Sequence, residues 1–140
     1  MFRRILFAHN ATPAAERALI YLEHLARQEE AEVIVLHVYQ SPERYLATPG
    51  YSALVEQMET VAHEVVNDTV ECLQKAGVTA LGVVAAGSST ARAIVETAQD
   101  EDVSLIVLGT RGPTEVVDIL LGNVSAEVLR YAQCPVLLVP

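Results

Sequence analysis

The sequence predicts an α/β protein built on an open, doubly wound parallel sheet. Apolar segments that look like strands alternate with segments of helical periodicity along the whole chain, the pattern of parallel βαβ crossovers. The strand-like segments are almost continuously apolar, hydrophobic residues make up 51% of the chain, and the mean hydropathy is +0.31. Such strands are typical of sheets that helices cover on both faces. With 140 residues, the chain is most economically one domain, residues 1–140.

Five strands are predicted, at residues 5–9, 32–39, 78–86, 103–108 and 136–139. The first helix begins at Pro13, behind Thr12 as N-cap, and continues to about residue 29. Its apolar residues recur at three- and four-residue steps and are Ala15, Ala18, Leu19, Leu22, Leu25 and Ala26.

Three more helices complete the alternation. The second is the longest and stops at Gly77, and its apolar stripe is Leu54, Met58, Val61, Ala62, Val65, Thr69, Cys72 and Leu73. The third follows the capping segment 87–90, and its buried face is predicted to be Ala91, Ile94, Val95 and Ala98. The fourth covers residues 124–132. Cys72 and Cys134 lack metal-ligand spacing, so we expect both to be buried small hydrophobic residues in a reducing compartment.

Charge and hydropathy exclude two classes of partner. The formal net charge of −9 argues against a general nucleic-acid surface, because such surfaces need clustered Lys and Arg. No apolar run approaches the roughly 18 residues of a membrane span, and the first nine residues do not resemble a signal peptide. We therefore expect a cytoplasmic protein.

Three glycines precede the last helix in the spacing G-x-x-G-x9-G: Gly109, Gly112 and Gly122. A strand that ends in glycine and restarts as a helix can cradle phosphate on backbone N–H groups and on the helix dipole. Thr110, Asn123 and Ser125 add polar side chains that we expect to point at the same place. Glycines near a strand end can also be simple turn formers, and both interpretations remain open.

The charged residues of this segment are equally ambiguous. Arg111 is either a phosphate contact or a solvated surface residue. Glu115 and Asp118 are either solvated or bridged by a divalent ion, so the sequence assigns no metal ligand.

Ligands of doubly wound sheets bind at the carboxyl ends of the strands, where the strand order reverses. The loops after the first, second and fourth strands would then surround one crevice. His9 ends the first strand there and is the histidine that we expect to touch a ligand, whereas His37 is expected in the core and His24 and His63 on the surface. No Ser-His-Asp or Cys-His set can be assembled, so no catalytic residue is predicted, and hydrolysis of a bound phosphate compound would be slow and incidental.

The chain resembles the universal stress protein family over essentially its whole length. The resemblance is carried by residues 5–12 before residues 16–19, by the second strand ending Leu36-His37-Val38, by residues 98–112, and by residues 122–125 and 134–139. It implies a Rossmann-like α/β/α sheet of order 3-2-1-4-5, a homodimer joined through strand 136–139 and, in one branch, bound ATP.

The same resemblance implies a set of binding residues. The phosphate loop maps onto Gly109, Gly112, Gly122, Asn123, Val124 and Ser125, and the adenine and ribose contacts map onto Ala8, Asn10 and Val38. His9 and Arg111 join them as candidates from their positions.

This chain departs from the family pattern inside the site. Asn10 replaces the usual Asp, Ala11 follows it in place of Gly, and Asn123 replaces the Ser or Thr after the third glycine. Asn can still accept a hydrogen bond from ribose, and Asn123 is a good N-cap, whereas Ala11 is expected to crowd the pocket.

Two functions follow. The first is a stress-response or regulatory domain that binds ATP or a related adenine nucleotide, with Mg²⁺ as a candidate companion ion, and that signals to an unidentified protein partner. The alternative is a nucleotide-free dimeric interaction module of the same fold, with the loop 40–51 as a candidate partner face. A flavin-binding domain is disfavoured because the first loop lacks the usual phosphate turn.

Overall fold

A computed structural model describes residues 1–40, 46–110 and 123–140 of the chain. Within these residues strands and helices alternate in the order β1 (Arg4–Ala8), α1 (Pro13–Glu29), β2 (Glu32–Tyr39), α2 (Tyr51–Lys75), β3 (Thr79–Ala86), α3 (Thr90–Asp100), β4 (Leu105–Gly109), α4 (Asn123–Tyr131) and β5 (Val136–Val139).

The strands form one parallel sheet of order β3-β2-β1-β4-β5. In the centre, Leu6 of β1 is aligned with Ile34 of β2 on one side and with Ile106 of β4 on the other. The chain leaves β1 towards β2 and returns to β4, so the strand order reverses between β1 and β4. The predicted fold class, and the strand order that the resemblance implies, are confirmed.

Helices cover both faces of the sheet. Because successive side chains of a strand point to opposite faces, Ile5 and Phe7 pack with α1 and α2, whereas Leu6 packs with α3 and α4. Ile5, Leu6 and Phe7 are all fully buried. This burial explains the continuous apolar strands of the sequence.

Caps fix two helix starts near the carboxyl end of the sheet. The hydroxyl of Thr12 accepts a hydrogen bond from the Ala15 amide at 3.3 Å, with Pro13 in the first turn, as predicted. The hydroxyl of Ser89 accepts one from the Arg92 amide at 3.2 Å and opens α3. The predicted buried face of α3 is confirmed at all four positions, Ala91, Ile94, Val95 and Ala98.

The predicted stripe of α2 was partly wrong. Its buried residues are Ala62, Val66, Thr69 and Leu73, so Val66 was missed. Leu54 and Val61 are 40% and 50% exposed. Cys72 is also exposed and Cys134 is half-buried, which corrects the expectation that both are core residues. The interface with the sheet occupies only the second half of α2, and Val66 approaches β3 closely over Gly82, where a side chain would collide with it.

No helix among the described residues is both long and apolar enough to cross a membrane.

Candidate functional site

A cleft of about 290 Å³ opens at the carboxyl ends of β1 and β4, where the strand order reverses. Its lining comes from the ends of β1, β2 and β4 and from the first turns of α3 and α4: Ala8, His9, Asn10, Leu36, His37, Val38, Thr90, Ile94, Leu108, Gly109, Val124 and Ser125. The volume is at the lower end of those that hold small ligands. The chain therefore carries a concave site at the place where doubly wound sheets bind ligands.

The electrostatic character of the cleft differs from that of the chain. The chain has a net charge of −9, yet none of the described lining residues is Asp, Glu, Lys or Arg. The first turns of α3 and α4 reach the cleft through Thr90, Val124 and Ser125. Unpaired N–H groups and the helix dipole make such turns favourable for an anion. Ala8 and Val38, which are half-buried, and Val124, which is exposed, add apolar surface against which a flat ring could pack.

The turn between β1 and α1 is held by its own side chains. The Asn10 side-chain oxygen accepts hydrogen bonds from the Thr12 hydroxyl at 2.6 Å and from the Thr12 amide at 3.3 Å. Ala11 between them has φ +60°, in the left-handed region that favours glycine. Ala11 is exposed and is not among the lining residues, so the expectation that it crowds the pocket was wrong. Ala11 instead has a strained backbone at a position where the family pattern has Gly.

His9 lies below this turn and is only 3% exposed. Its Nδ1 accepts a hydrogen bond from the Ala11 amide at 2.9 Å, and its Nε2 lies 3.1 Å from a carboxylate oxygen of Glu16. Burial lowers the pKa of His9 from its ordinary value, and the neighbouring Glu16 carboxylate opposes that shift. Since both ring nitrogens and the backbone N–H have protein partners, the expected contact of His9 with a ligand would have to use its ring carbons or the second lone pair of its carbonyl oxygen.

Gly109 closes the cleft at the end of β4, and a close approach of backbones explains why it is glycine. A β-carbon on Gly109 would lie 2.5 Å from the amide nitrogen of Ala15 and 2.6 Å from the carbonyl oxygen of Ala14. No larger residue fits against the first turn of α1 unless the helix moves. This requirement exists whether or not a phosphate binds.

The structure brings most of the described candidates together. Ala8, His9, Asn10, Val38, Gly109, Val124 and Ser125 all line the one cleft. Asn123 begins α4, whose next two residues line the cleft. Arg111, Gly112 and Gly122, and also Glu115 and Asp118, lie outside the described residues. The assignment of these residues to nucleotide binding stays a prediction.

One polar candidate has a different role. The Thr110 hydroxyl and amide both donate to the carbonyl oxygen of Val139, at 3.4 and 2.7 Å. Thr110 is buried and joins the end of β5 to β4, so its side chain does not point to the same place as Ser125, contrary to the expectation.

Sequence reasoning missed five lining residues: Leu36, His37, Thr90, Ile94 and Leu108. His37 was expected in the core, and it is half-buried with its Nδ1 donating to the His9 carbonyl oxygen at 2.7 Å. Thr90 could have been found, because a helix that follows a parallel strand begins at the carboxyl edge of the sheet. In the described part of the chain, no cluster of three His, Cys, Asp or Glu residues could hold a metal ion.

A family model decides which group of proteins this architecture represents. The model described as the universal stress protein family matches residues 1–140. The chain belongs to the universal stress protein family. The recognition drawn from its motifs is thereby confirmed.

Named relatives of this universal stress protein cover nearly its whole length. A universal stress protein of Thermus aquaticus is 32% identical over 139 residues, covering 99% of each chain. The universal stress protein YxiE of Bacillus subtilis is 31% identical over 150 residues, again covering 99% of each. The structure of MJ0577, from Methanocaldococcus jannaschii, superimposes with a TM-score of 0.87 at 27% identity over 99% of this chain and 96% of the other.

Two further solved universal stress proteins share the fold at lower identity. One, from Archaeoglobus fulgidus, is a complex with dAMP, with a TM-score of 0.71, 22% identity, and coverage of 100% of this chain and 98% of the other. Another is a complex with cAMP, with the same TM-score and identity, and coverage of 99% and 96%.

Proposed function

We propose that this universal stress protein is a regulatory domain that binds an adenine nucleotide, ATP in the first place, in the cleft between β1 and β4. One observation carries the proposal. A protein of net charge −9 has, at the switch point of its sheet, a cleft whose described lining contains no carboxylate and includes the first turns of two helices. Such a cleft favours a negatively charged ligand locally, against the field of the whole molecule.

The lining supports a nucleotide better than a free phosphate. The apolar side chains of Ala8, Val38 and Val124 keep accessible surface that can contact a base, while the first turns of α3 and α4 offer N–H groups to phosphates. The complexes of two proteins of this fold with cAMP and dAMP support the adenine class.

We assign the base and ribose to Ala8, Asn10 and Val38, and the phosphates to the segment from Gly109 to Ser125.

The proposed regulatory step lies in that segment. Contact of the phosphates with residues 109–121 would change the surface offered to a protein partner. Mg²⁺ would accompany the phosphates. We also propose a homodimer through β5, the edge strand of the sheet.

The experiment starts from the purified protein. Denatured protein is examined by chromatography and absorbance for released adenine nucleotide, and nucleotide-free protein is titrated calorimetrically with ATP and Mg²⁺, with GTP in parallel. We expect saturable binding of one ATP per chain and weaker binding of GTP. Absence of heat at millimolar ATP, together with absence of co-purified nucleotide, would refute the proposal.

One observation favours the alternative, a nucleotide-free interaction module. The Asn10 oxygen is already engaged by Thr12 and is therefore not free to accept from a ribose hydroxyl. If the module function is correct, the titrations give no heat, while the protein still forms a dimer and retains a protein partner from the cell extract through the cleft side of the sheet.

A further inference from the structure

The buried side chain of His9 stabilises the turn of residues 10–12, and Asn10 of this turn lines the cleft. The Nδ1 atom accepts from the Ala11 amide at 2.9 Å, and the Ala11 backbone is in the left-handed region at φ +60°. This single contact therefore links the imidazole to the strained residue of the turn. Asn10, which lines the cleft, is the residue immediately before it.

The partners of His9 determine its protonation state. A backbone amide can only donate, so Nδ1 must carry a lone pair, and the proton of the neutral ring must be on Nε2, where it points at Glu16 3.1 Å away. A second proton on Nδ1 would face the Ala11 N–H and abolish that hydrogen bond. The arrangement is thus compatible with a neutral His9 and incompatible with a charged one.

We propose that His9 is a positioning residue whose protonation releases the turn of residues 10–12 and weakens nucleotide binding in the cleft. The part that concerns affinity rests on the proposed function. The part that concerns the turn does not, because it is a property of the ligand-free protein. The imidazole acts through Ala11 and Asn10 and needs no contact with the nucleotide.

The charges around His9 set the direction of the effect. Among the described residues, the titratable groups that face it are Glu16 from α1 and His37 from β2. Burial is the largest influence and lowers the pKa of His9, Glu16 raises it, and His37 lowers it. The turn is therefore intact above the ordinary histidine pKa of about 6.5 and is released as the pH falls through the lower value of the folded protein.

The first test uses ligand-free protein and nuclear magnetic resonance. The His9 ring and the Ala11 amide should titrate together, with one midpoint on the acid side of about 6.5. The variant Glu16→Gln keeps a side-chain acceptor but removes the charge, so the shared midpoint should move to lower pH. A shared midpoint that moves with Glu16 is not expected of a merely structural histidine. An Ala11 amide that is insensitive to the titration of His9 would overturn the proposal.

The second test measures the affinity for ATP with Mg²⁺ at about pH 8 and at about one pH unit below the midpoint that the first test gives, so that His9 is neutral in one measurement and charged in the other. The variant His9→Asn offers an uncharged oxygen near the position of Nδ1 and cannot titrate, so its remaining pH dependence belongs to the ligand. Wild type should lose roughly tenfold more affinity on acidification than His9→Asn, the effect of about one hydrogen bond. Equal losses in both proteins would contradict the link to affinity.

The two tests separate the two proposals. Wild type that binds no nucleotide at about pH 8 would disprove the proposed function alone, and the Ala11 titration would still decide whether His9 controls the turn. Wild type that binds equally well at both pH values, with a titrating Ala11 amide, would show that the turn moves without affecting the site.

Discussion

At the scale of single residues, the glycine at the end of β4 meets a packing requirement that its motif did not reveal. Gly109 was predicted as part of a phosphate loop because it follows an apolar strand. In the structure the backbone of Ala14 and Ala15 leaves no room for a side chain there. The sequence could place Gly109 at the cleft, but it could not show the close approach of α1, which depends on tertiary packing.

Replacement of Gly109 should therefore affect folding before it affects binding. Gly109→Ala pushes a methyl group into the backbone of α1, so we expect the free energy of unfolding to fall by about 3 kcal/mol. Gly87→Ala is the matched control, because the nearest atom to its β-carbon is 3.8 Å away, and its effect should be within about 0.5 kcal/mol. Chemical denaturation measures both. Equal stability of the two variants would contradict the packing explanation.

At Ala11 the opposite is expected: replacement by glycine should raise the free energy of unfolding. Because its φ of +60° is unfavourable for any residue with a β-carbon, Ala11→Gly should relieve strain. Part of the gain is lost to the greater freedom of the unfolded chain, which leaves a net stabilisation of about 0.5 kcal/mol. The same change at Ala53, exposed in the first turn of α2, should cost about 0.5 kcal/mol. Thermal unfolding should show shifts of opposite sign, and destabilisation by Ala11→Gly would rule out strain at this residue.

At the scale of elements, local sequence signals were sufficient to predict which helices and strands exist and in what order. They were insufficient to predict which face of α2 is buried. Caps at Thr12 and Ser89 are encoded within a few residues, so the starts of α1 and α3 could be predicted. The buried face of α2 could not, because only its second half contacts the sheet while apolar residues such as Leu54 and Val61 continue along the exposed first half. Gly82 on β3 was the available signal, since it makes room for Val66.

The corrected face of α2 can be tested with two valines. Val66→Ala removes two buried methyl groups against β3 and should lower the free energy of unfolding by about 2 kcal/mol. Val61, which belonged to the predicted stripe, is 50% exposed, and Val61→Ala should change stability by no more than about 0.5 kcal/mol. Denaturant titrations of both variants decide between the two faces, and a larger effect at Val61 would restore the predicted stripe.

At the scale of the whole molecule, the alternation of buried strands and amphipathic helices was enough to predict a doubly wound sheet. The same topology predicted that β1 and β4 flank a cleft, and the resemblance placed Ala8, Asn10 and Val38 in it. The contribution of α3 was missed: topology alone could have placed Thr90 at the cleft, whereas that of Ile94 depends on where the helix crosses the sheet edge.

β5 is an edge strand of the sheet among the described residues, and this edge carries the proposal of a dimer. The carbonyl oxygens of Pro135 and Val139 accept from Ile106 and Thr110 on the inner side, so by alternation Val136 points its N–H outwards. Sedimentation of wild type should give the mass of two chains. Val136→Pro removes one outward donor without breaking the β4 ladder and should shift the protein to monomer with an unchanged circular dichroism spectrum. A monomeric wild type at micromolar concentration would refute the dimer.

The central claim is tested most directly by calorimetric titration with ATP and Mg²⁺. The titration compares wild type with two variants that each add one carboxylate. Val124→Glu places a carboxylate at the first turn of α4, on the cleft, where the helix itself tolerates it. Val61→Glu adds the same charge on the exposed side of α2. We predict saturable binding by wild type and by Val61→Glu, and at least about tenfold weaker binding by Val124→Glu, because a carboxylate beside the phosphates is repulsive. Equal affinity of all three proteins, or no binding by wild type, would contradict a nucleotide site in this cleft.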